Sequence, residues 1–159
     1  MAHEAVRELL NRTPNASEYR LIRRLWLAHS IAEDKRDIAG LMATLCDDCV
    51  YEMGQTGDSW RGHEGATRFY TGMLSAFPDV RFDLTHIVIG PQGVWEEALV
   101  TATHTGEWLG YAPSGNHIEL RTTILFPWDA EKRLFKGERI YLDSDEMLRG
   151  GSQTRLRHG

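Results

Sequence analysis

The chain has 159 residues and a mass of 18.1 kDa, which is enough for one domain built around one hydrophobic core. Its residues are 42% hydrophobic and 26% charged, a composition that excludes a disordered, fibrous or disulfide-stapled protein and predicts a soluble globular one. Asp and Glu outnumber Lys and Arg by 23 to 18, so the net charge is -5 and nucleic acid is not an expected partner.

The first part of the chain is predicted to be helical. Residues 1–16 form an N-terminal extension, and Ser17 is the predicted N-cap of an amphipathic helix whose apolar positions run from Leu21 to Ala28. A second helical pattern covers residues 38–45. The first residues carry charges where a signal peptide is apolar, and no apolar run reaches bilayer length. We therefore predict a cytoplasmic protein without membrane contact.

The two cysteines form one C-x-x-C motif, Cys46 and Cys49. A structural zinc site needs a second pair of ligands, and a redox pair needs a helix N-terminus beneath the first thiol. The motif follows the end of the second predicted helix, so two reduced structural thiols are expected and no metal site is assigned.

The clearest periodicity in the sequence predicts a helix over residues 62–77, after a short strand over 50–53. Its apolar positions repeat at three and four residues until Pro78 ends the helix: Ala66, Phe69, Tyr70, Met73, Leu74 and Phe77. A period of two then predicts strands over 82–88, 94–108, 118–126 and 134–142, and residues 150–159 read as a frayed tail. Helices followed by a long meander predict an α+β domain over 1–159, in which a curved antiparallel sheet wraps around the helices.

Two ionisable residues fall on faces of the predicted strands that are otherwise apolar. His104 shares its parity with Val94, Val100 and Trp108. Glu138 shares its parity with Ile140, although Lys136 falls on that same parity. Buried in a pocket, the two groups are candidates for the acid and the base of a reaction. The alternatives are a core histidine bonded to a carbonyl and a Glu paired with Lys136 or Arg121.

Other residues are candidates for ligand contacts. His86 lies on an apolar strand face, although a strand-end histidine is as often an interface or surface residue, and His63 begins the predicted helix, where solvated positions are common. Aromatic and soft side chains that suit the wall of an apolar pocket, and that are just as typical of a core, complete the set: Tyr51, Trp60, Tyr70, Met73, Trp108 and Tyr141.

The order of elements and five short motifs resemble the SnoaL-like polyketide cyclase and ester cyclase branch of the NTF2-like superfamily. The resemblance covers about residues 17–149. The motifs are Trp60-x-Gly-x-Glu, Phe77-Pro78-Asp79, Thr103-His104-Thr105-Gly106-Glu107-Trp108-Leu109-Gly110, Pro113-Ser114-Gly115 and Glu138-Arg139-x-Tyr141-x-Asp143.

The resemblance implies a cone-shaped α+β barrel with an apolar cavity, no cofactor, and a dimer formed through the outer sheet. In the cyclases of this family an aspartate does the acid and base work on an aldol ring closure. This chain has Ile140 at that position, while His104 matches a histidine of the family pattern and Glu138 lies two residues upstream on the same face.

The expected function is therefore cofactor-free acid and base chemistry on a small hydrophobic carbonyl compound, as in a cyclase or an isomerase. A non-catalytic binder of apolar ligands and an epoxide hydrolase or dehydratase of the same fold stay open. An outer face with Trp95, Leu125 and Phe135 predicts a homodimer.

Overall fold

The computed structural model describes residues 2–13 and 15–142. Within them the elements follow in the order α1 Ala2–Asn11, α2 Ala16–Asp34, α3 Ile38–Met42, β1 Leu45–Met53, β2 Ser59–Arg61, α4 Gly62–Ala76, β3 Arg81–Gly90, β4 Gly93–Thr103, β5 His117–Asp129 and β6 Leu134–Leu142. The predicted frayed tail and Asp143 lie outside the described residues.

The six strands form one curved, open sheet in the order β2-β1-β6-β5-β4-β3. The predicted α+β architecture is confirmed. One pair differs from the antiparallel meander that we expected, because β1 and β6 run parallel. The last strand enters the sheet between β5, its hairpin partner, and β1, which precedes α4 in the chain.

The core lies between the concave face of the sheet and the helices. The predicted stripe of α4 is buried, with Ala66, Phe69, Tyr70 and Met73 inside, and α4 packs on β1 and β2. Along β4 and β5 burial alternates residue by residue, as a strand with one face in the core requires. Helix α2 closes the other side through contacts with β3 and β4.

Three predicted boundaries are wrong. The N-cap of α2 is Asn15, whose side chain accepts the amide of Glu18 at 2.8 Å, and Ser17 lies inside the helix. Helix α3 ends at Met42 and β1 begins at Leu45, so the C-x-x-C motif lies in a strand that pairs with β6. Strand β4 ends at Thr103, because residues 104–116 turn through a loop closed by a bridge between Trp108 and Tyr111.

In the described parts of the chain, none of the helices has both the length and the apolar character that crossing a bilayer demands.

Candidate active site

A small apolar cavity lies between the concave face of the sheet and α4. Its volume is about 40 Å³, room for a few water molecules. Most of its wall is apolar, with Met53, Met73 and Trp108 among the lining side chains. In the described chain, the ionisable residues that line it are Glu33 and Glu138.

Three side chains of the site converge on the carboxylate of Glu138. Its Oε1 atom accepts hydrogen bonds from the hydroxyls of Tyr51 at 2.9 Å and Tyr70 at 2.7 Å, and lies 3.0 Å from Nε2 of His29. Only 4% of the Glu138 side chain is exposed. No hydrogen-bond donor among the described residues reaches Oε2, so this second oxygen is available to a ligand.

A bulge in β6 turns Glu138 inward. Gly137 has a φ of 113°, and a Cβ atom there would lie 2.0 Å from the carbonyl oxygen of Val50. The extra residue shifts the alternation, so that Phe135 and Glu138 both face the core and Lys136 faces solvent. This corrects two predictions: Phe135 is a core residue, not an outer-face one, and Lys136 does not share the face of Glu138.

The hydrogen bonds of His29 fix which of its nitrogens carries a proton. The single hydroxyl proton of Thr44 is donated to the carbonyl oxygen of Leu41 at 2.7 Å, so Thr44 Oγ1 can only accept from Nδ1 of His29, 2.6 Å away. Nδ1 therefore carries a proton. On the other side of the ring, Nε2 lies 3.0 Å from both Oε1 of Glu138 and the hydroxyl of Tyr70.

The two tyrosines stay protonated donors over the neutral range. Burial, followed by the charge of Glu138, raises the pKa of Tyr51 and of Tyr70 well above the ordinary value of 10. Each hydroxyl thus keeps the proton that it donates to Oε1.

A third carboxyl group lies near the cavity. Glu96 is buried on β4 and accepts the indole N–H of Trp26 at 2.8 Å. Burial and then the charge of Glu138 raise the pKa of Glu96 to about 7, despite the opposing hydrogen bond from Trp26. Glu96 therefore exchanges its proton near neutrality.

Sequence reasoning missed His29, Glu33 and Glu96, although each carried a signal. Glu96 has the same strand parity as Val94 and Ala98. Continuing the apolar stripe of α2 by steps of three and four residues leads to His29 and Glu33. In all three cases the signal is a polar residue that interrupts an apolar pattern.

The structure brings several predicted ligand contacts to the cavity. Met73, Trp108 and Glu138 line it, while Tyr51 and Tyr70 stand behind Glu138 as its donors. Trp60 stacks on Trp108 with ring centres 6.3 Å apart, but it does not itself line the cavity. The indole N–H of Trp108 is buried without a partner in the described residues.

His104 is buried, as its parity predicts, but it does not join Glu138. Its ring stacks on Phe77 with centres 5.0 Å apart, and Nδ1 lies 3.3 Å from the hydroxyl of Ser114. Nε2 has no partner in the described part of the chain, and His104 does not line the cavity. The histidine that contacts Glu138 is His29.

Three other candidates lie away from the cavity. His86 is 79% exposed beside Glu97, because a register shift between Leu84 and His86 carries it to the outer surface. His63 is half-buried, with Nε2 3.2 Å from the carbonyl oxygen of Leu45. Tyr141 stacks on Trp95 on the outer face of the sheet.

Metal-ligating side chains are not clustered in the described ranges. No group of three or more His, Cys, Asp or Glu side chains there is arranged to bind an ion. Cys46 and Cys49 are buried free thiols. Burial is the main cause that raises the pKa of each thiol, and the pKa of Cys49 rises to about 11. Such thiols are poor nucleophiles and poor metal ligands.

Solved structures of similar shape share the fold at low sequence identity. A candidate SnoaL-like polyketide cyclase from Jannaschia sp. CCS1 has a TM-score of 0.75 at 15% identity, over 86% of this chain and 94% of that one. AclR, a candidate hydroxylase from Streptomyces galilaeus, has a TM-score of 0.65 at 20% identity, over 82% and 94%. IdmH, a candidate polyketide cyclase from Streptomyces antibioticus, has a TM-score of 0.64 at 20% identity, over 80% and 96%.

No protein of curated function matches the sequence. The family model described as SnoaL-like polyketide cyclase matches residues 19–147, which include every element from α2 to β6 except the first residues of α2. The chain therefore belongs to the SnoaL-like polyketide cyclase family.

Proposed function

We propose that the protein catalyses a cofactor-free ring closure or double-bond shift on a small hydrophobic carbonyl compound, with Glu138 as the base. The observation that carries the proposal is the position of Glu138. One carboxylate oxygen is held by three neighbours, and the other has no protein donor in the described wall of an apolar cavity. An oriented, poorly solvated carboxylate is suited to removing a proton from carbon.

The chemistry needs no redox partner. Glu138 takes a proton from the carbon beside the carbonyl, and the electron pair of the C–H bond moves to the carbonyl oxygen as an enolate. In a ring closure the enolate carbon attacks a second carbonyl of the same molecule, a C–C bond forms, and the new alkoxide takes up the proton. In a double-bond shift Glu138 returns the proton to another carbon.

His29 acts through Glu138 rather than on the ligand. Its Nε2 atom and the two tyrosine hydroxyls orient Oε1 and fix the direction of the free oxygen. We assign His29 the positioning role, in place of the partnership with Glu138 that the sequence suggested for His104.

Entry of a ligand requires the wall to move, since 40 Å³ is far below the roughly 300 Å³ of ordinary ligand pockets. Met53 and Met73 provide that freedom, because unbranched thioether side chains repack at low cost. The same apolar wall supports the second candidate function, binding of a small apolar ligand without turnover. For an epoxide hydrolase we would expect an arginine in the wall, and none lines this cavity within the described residues.

The decisive experiment measures deuterium exchange at the carbon beside the carbonyl of small aryl ketones, followed by NMR in heavy water. Acetophenone, indanone and tetralone are the probes. Glu138→Gln keeps the shape and removes the base, so exchange should fall by a factor of roughly 100 or more. Glu119→Gln, at an exposed position of β5, is the matched control.

Unchanged exchange in Glu138→Gln would remove Glu138 from the mechanism. If the ketones bind to the wild-type protein and shift its NMR signals but never exchange, the binding function replaces the catalytic one.

A further inference from the structure

Glu33 borders two spaces at once. It lines the interior cavity together with Val80 and Phe82, and the same three residues line an outer cleft of about 620 Å³. The cleft runs between the last turn of α2 and the start of β3, where Arg36 donates to the carbonyl oxygen of Val80 at 2.8 Å. The half-buried side chain of Glu33 therefore stands where the cavity approaches solvent.

We propose that Glu33 is the acid of the site: its protonated carboxyl donates to the carbonyl oxygen of the ligand, and it exchanges protons with water through the cleft. This inference rests on the proposed function and assigns the group that Glu138 needs as its counterpart. Two carboxyl groups lining one cavity in unlike surroundings are a recurrent basis for dividing acid and base roles.

The surroundings of Glu33 favour its neutral form. Burial is the largest cause that raises its pKa well above the ordinary 4.5, followed by the charges of Glu138, Glu96 and Asp34, while Arg36 lowers it. Of these acidic groups, Glu138 lies on β6, Glu96 lies on β4, and Asp34 follows Glu33 in α2. The remaining charged groups of the cleft are Asp79, Arg81 and Asp83.

The surroundings of Glu138 differ, because three hydrogen-bonding neighbours converge on its Oε1 atom. No such donors are found for Glu33 among the described residues. As Glu138 takes the proton from carbon, Glu33 gives its proton to the carbonyl oxygen, and a neutral enol replaces a charged enolate. When the enol collapses it returns that proton to Glu33, and Glu138 gives its proton to carbon or to the new alkoxide, so both carboxyl groups end in their starting forms.

The first test determines the charge of Glu33 without any ligand. Carbon NMR of protein labelled at the glutamate carboxyl groups should show a protonated Glu33 carboxyl at neutral pH that is missing in Glu33→Gln. The signal of Glu96, whose pKa is about 7, is assigned separately by its loss in Glu96→Gln. Asp83→Asn is the matched control, because Asp83 borders the cleft but not the cavity and is not among the charges that raise the pKa of Glu33. A Glu33 signal that titrates near its ordinary pKa of 4.5 overturns the proposal, whatever the activity.

The second test uses the ketone exchange assay across pH. We expect wild-type exchange to fall at high pH as Glu33 loses its proton. Glu33→Gln keeps an N–H donor, so its rate should fall about tenfold and lose this high-pH decline, whereas Glu33→Ala should fall about 100-fold. Asp83→Asn, at an exposed position of β3 in the same cleft, should behave as wild type.

A Glu33→Gln profile identical to that of the wild type overturns the acid role even if the carboxyl proves to be protonated. Failure of the proposed function has a different signature, because full exchange in Glu138→Gln would leave the NMR result for Glu33 unaffected.

Discussion

At the scale of single residues, burying His29 and Glu138 away from water costs free energy, and only the contacts that the two side chains make with their neighbours offset it. The two side chains are 2% and 4% exposed, and removing one member of such a pair leaves the other buried without compensation. We predict that His29→Leu lowers the free energy of unfolding by about 3 kcal/mol in urea titrations at neutral pH. His86→Leu, at a side chain that is 79% exposed, should change it by less than about 0.5 kcal/mol. Equal effects would show that the buried contact contributes nothing.

Glu96 links stability to pH in a direction opposite to that of most carboxyl groups. Its pKa rises from 4.5 to about 7 on folding, so the folded state favours the proton. This contribution to stability is fully present below about pH 4.5 and is lost as the pH rises through about 7. Glu96→Gln should therefore be more stable than the wild type above that range, by up to about 3 kcal/mol, with no gain near pH 4.

Urea unfolding of Glu96→Gln at several pH values measures this effect. Glu119→Gln, an exposed change on the neighbouring strand, is the control and should follow the wild-type curve. A stability difference between Glu96→Gln and the wild type that does not vary with pH would contradict the assignment.

At the scale of elements, the bulge of β6 decides which side chain reaches the cavity. A side chain at position 137 would collide with the backbone of Val50, and its residue would have to adopt a φ of 113°. Gly137→Ala should therefore lower the free energy of unfolding by at least about 3 kcal/mol or prevent folding. Gly57 is the matched control, since it has a φ of 79° but a Cβ atom added there would meet nothing within 4 Å. Gly57→Ala should cost about 1–2 kcal/mol, and similar midpoints of thermal unfolding would contradict the role of the bulge.

The same bulge shows which features could be predicted from the sequence and which could not. Helix α4 was predictable because its apolar residues alone define one face, and the inward direction of His104 followed from strand parity. The direction of Glu138 was predicted correctly from a faulty premise, because simple alternation also turned Lys136 inward. The shift depends on the close approach of Gly137 to Val50, a contact between residues far apart in the chain that no local pattern records.

At the scale of the whole molecule, the outer face of the sheet exposes large apolar side chains, among them Val88 at 64% and Trp95 at 46%. We predict that this face forms a homodimer, so that light scattering at micromolar concentration gives twice 18.1 kDa. Replacing Val88 and Trp95 together by Glu should give the mass of one chain. Tyr111→Glu, an exposed change in the loop after β4, should leave the dimer intact. A wild-type mass of one chain would refute the prediction.

The parallel pairing of β1 with β6 also determines when the site around Glu138 can form during synthesis. Tyr51 and Glu138 are 87 residues apart, a separation that takes a ribosome roughly 4 to 17 s at ordinary elongation rates of about 5–20 residues per second. Until β6 emerges, the nascent chain presents an unpaired edge of β1, and the tyrosine hydroxyls have no carboxylate to meet. The buried carboxylate that we propose as the base thus arrives only with the last strand that the structure describes. A chain halted before β6 lacks that carboxylate and exposes an edge of β1 that can pair with other chains.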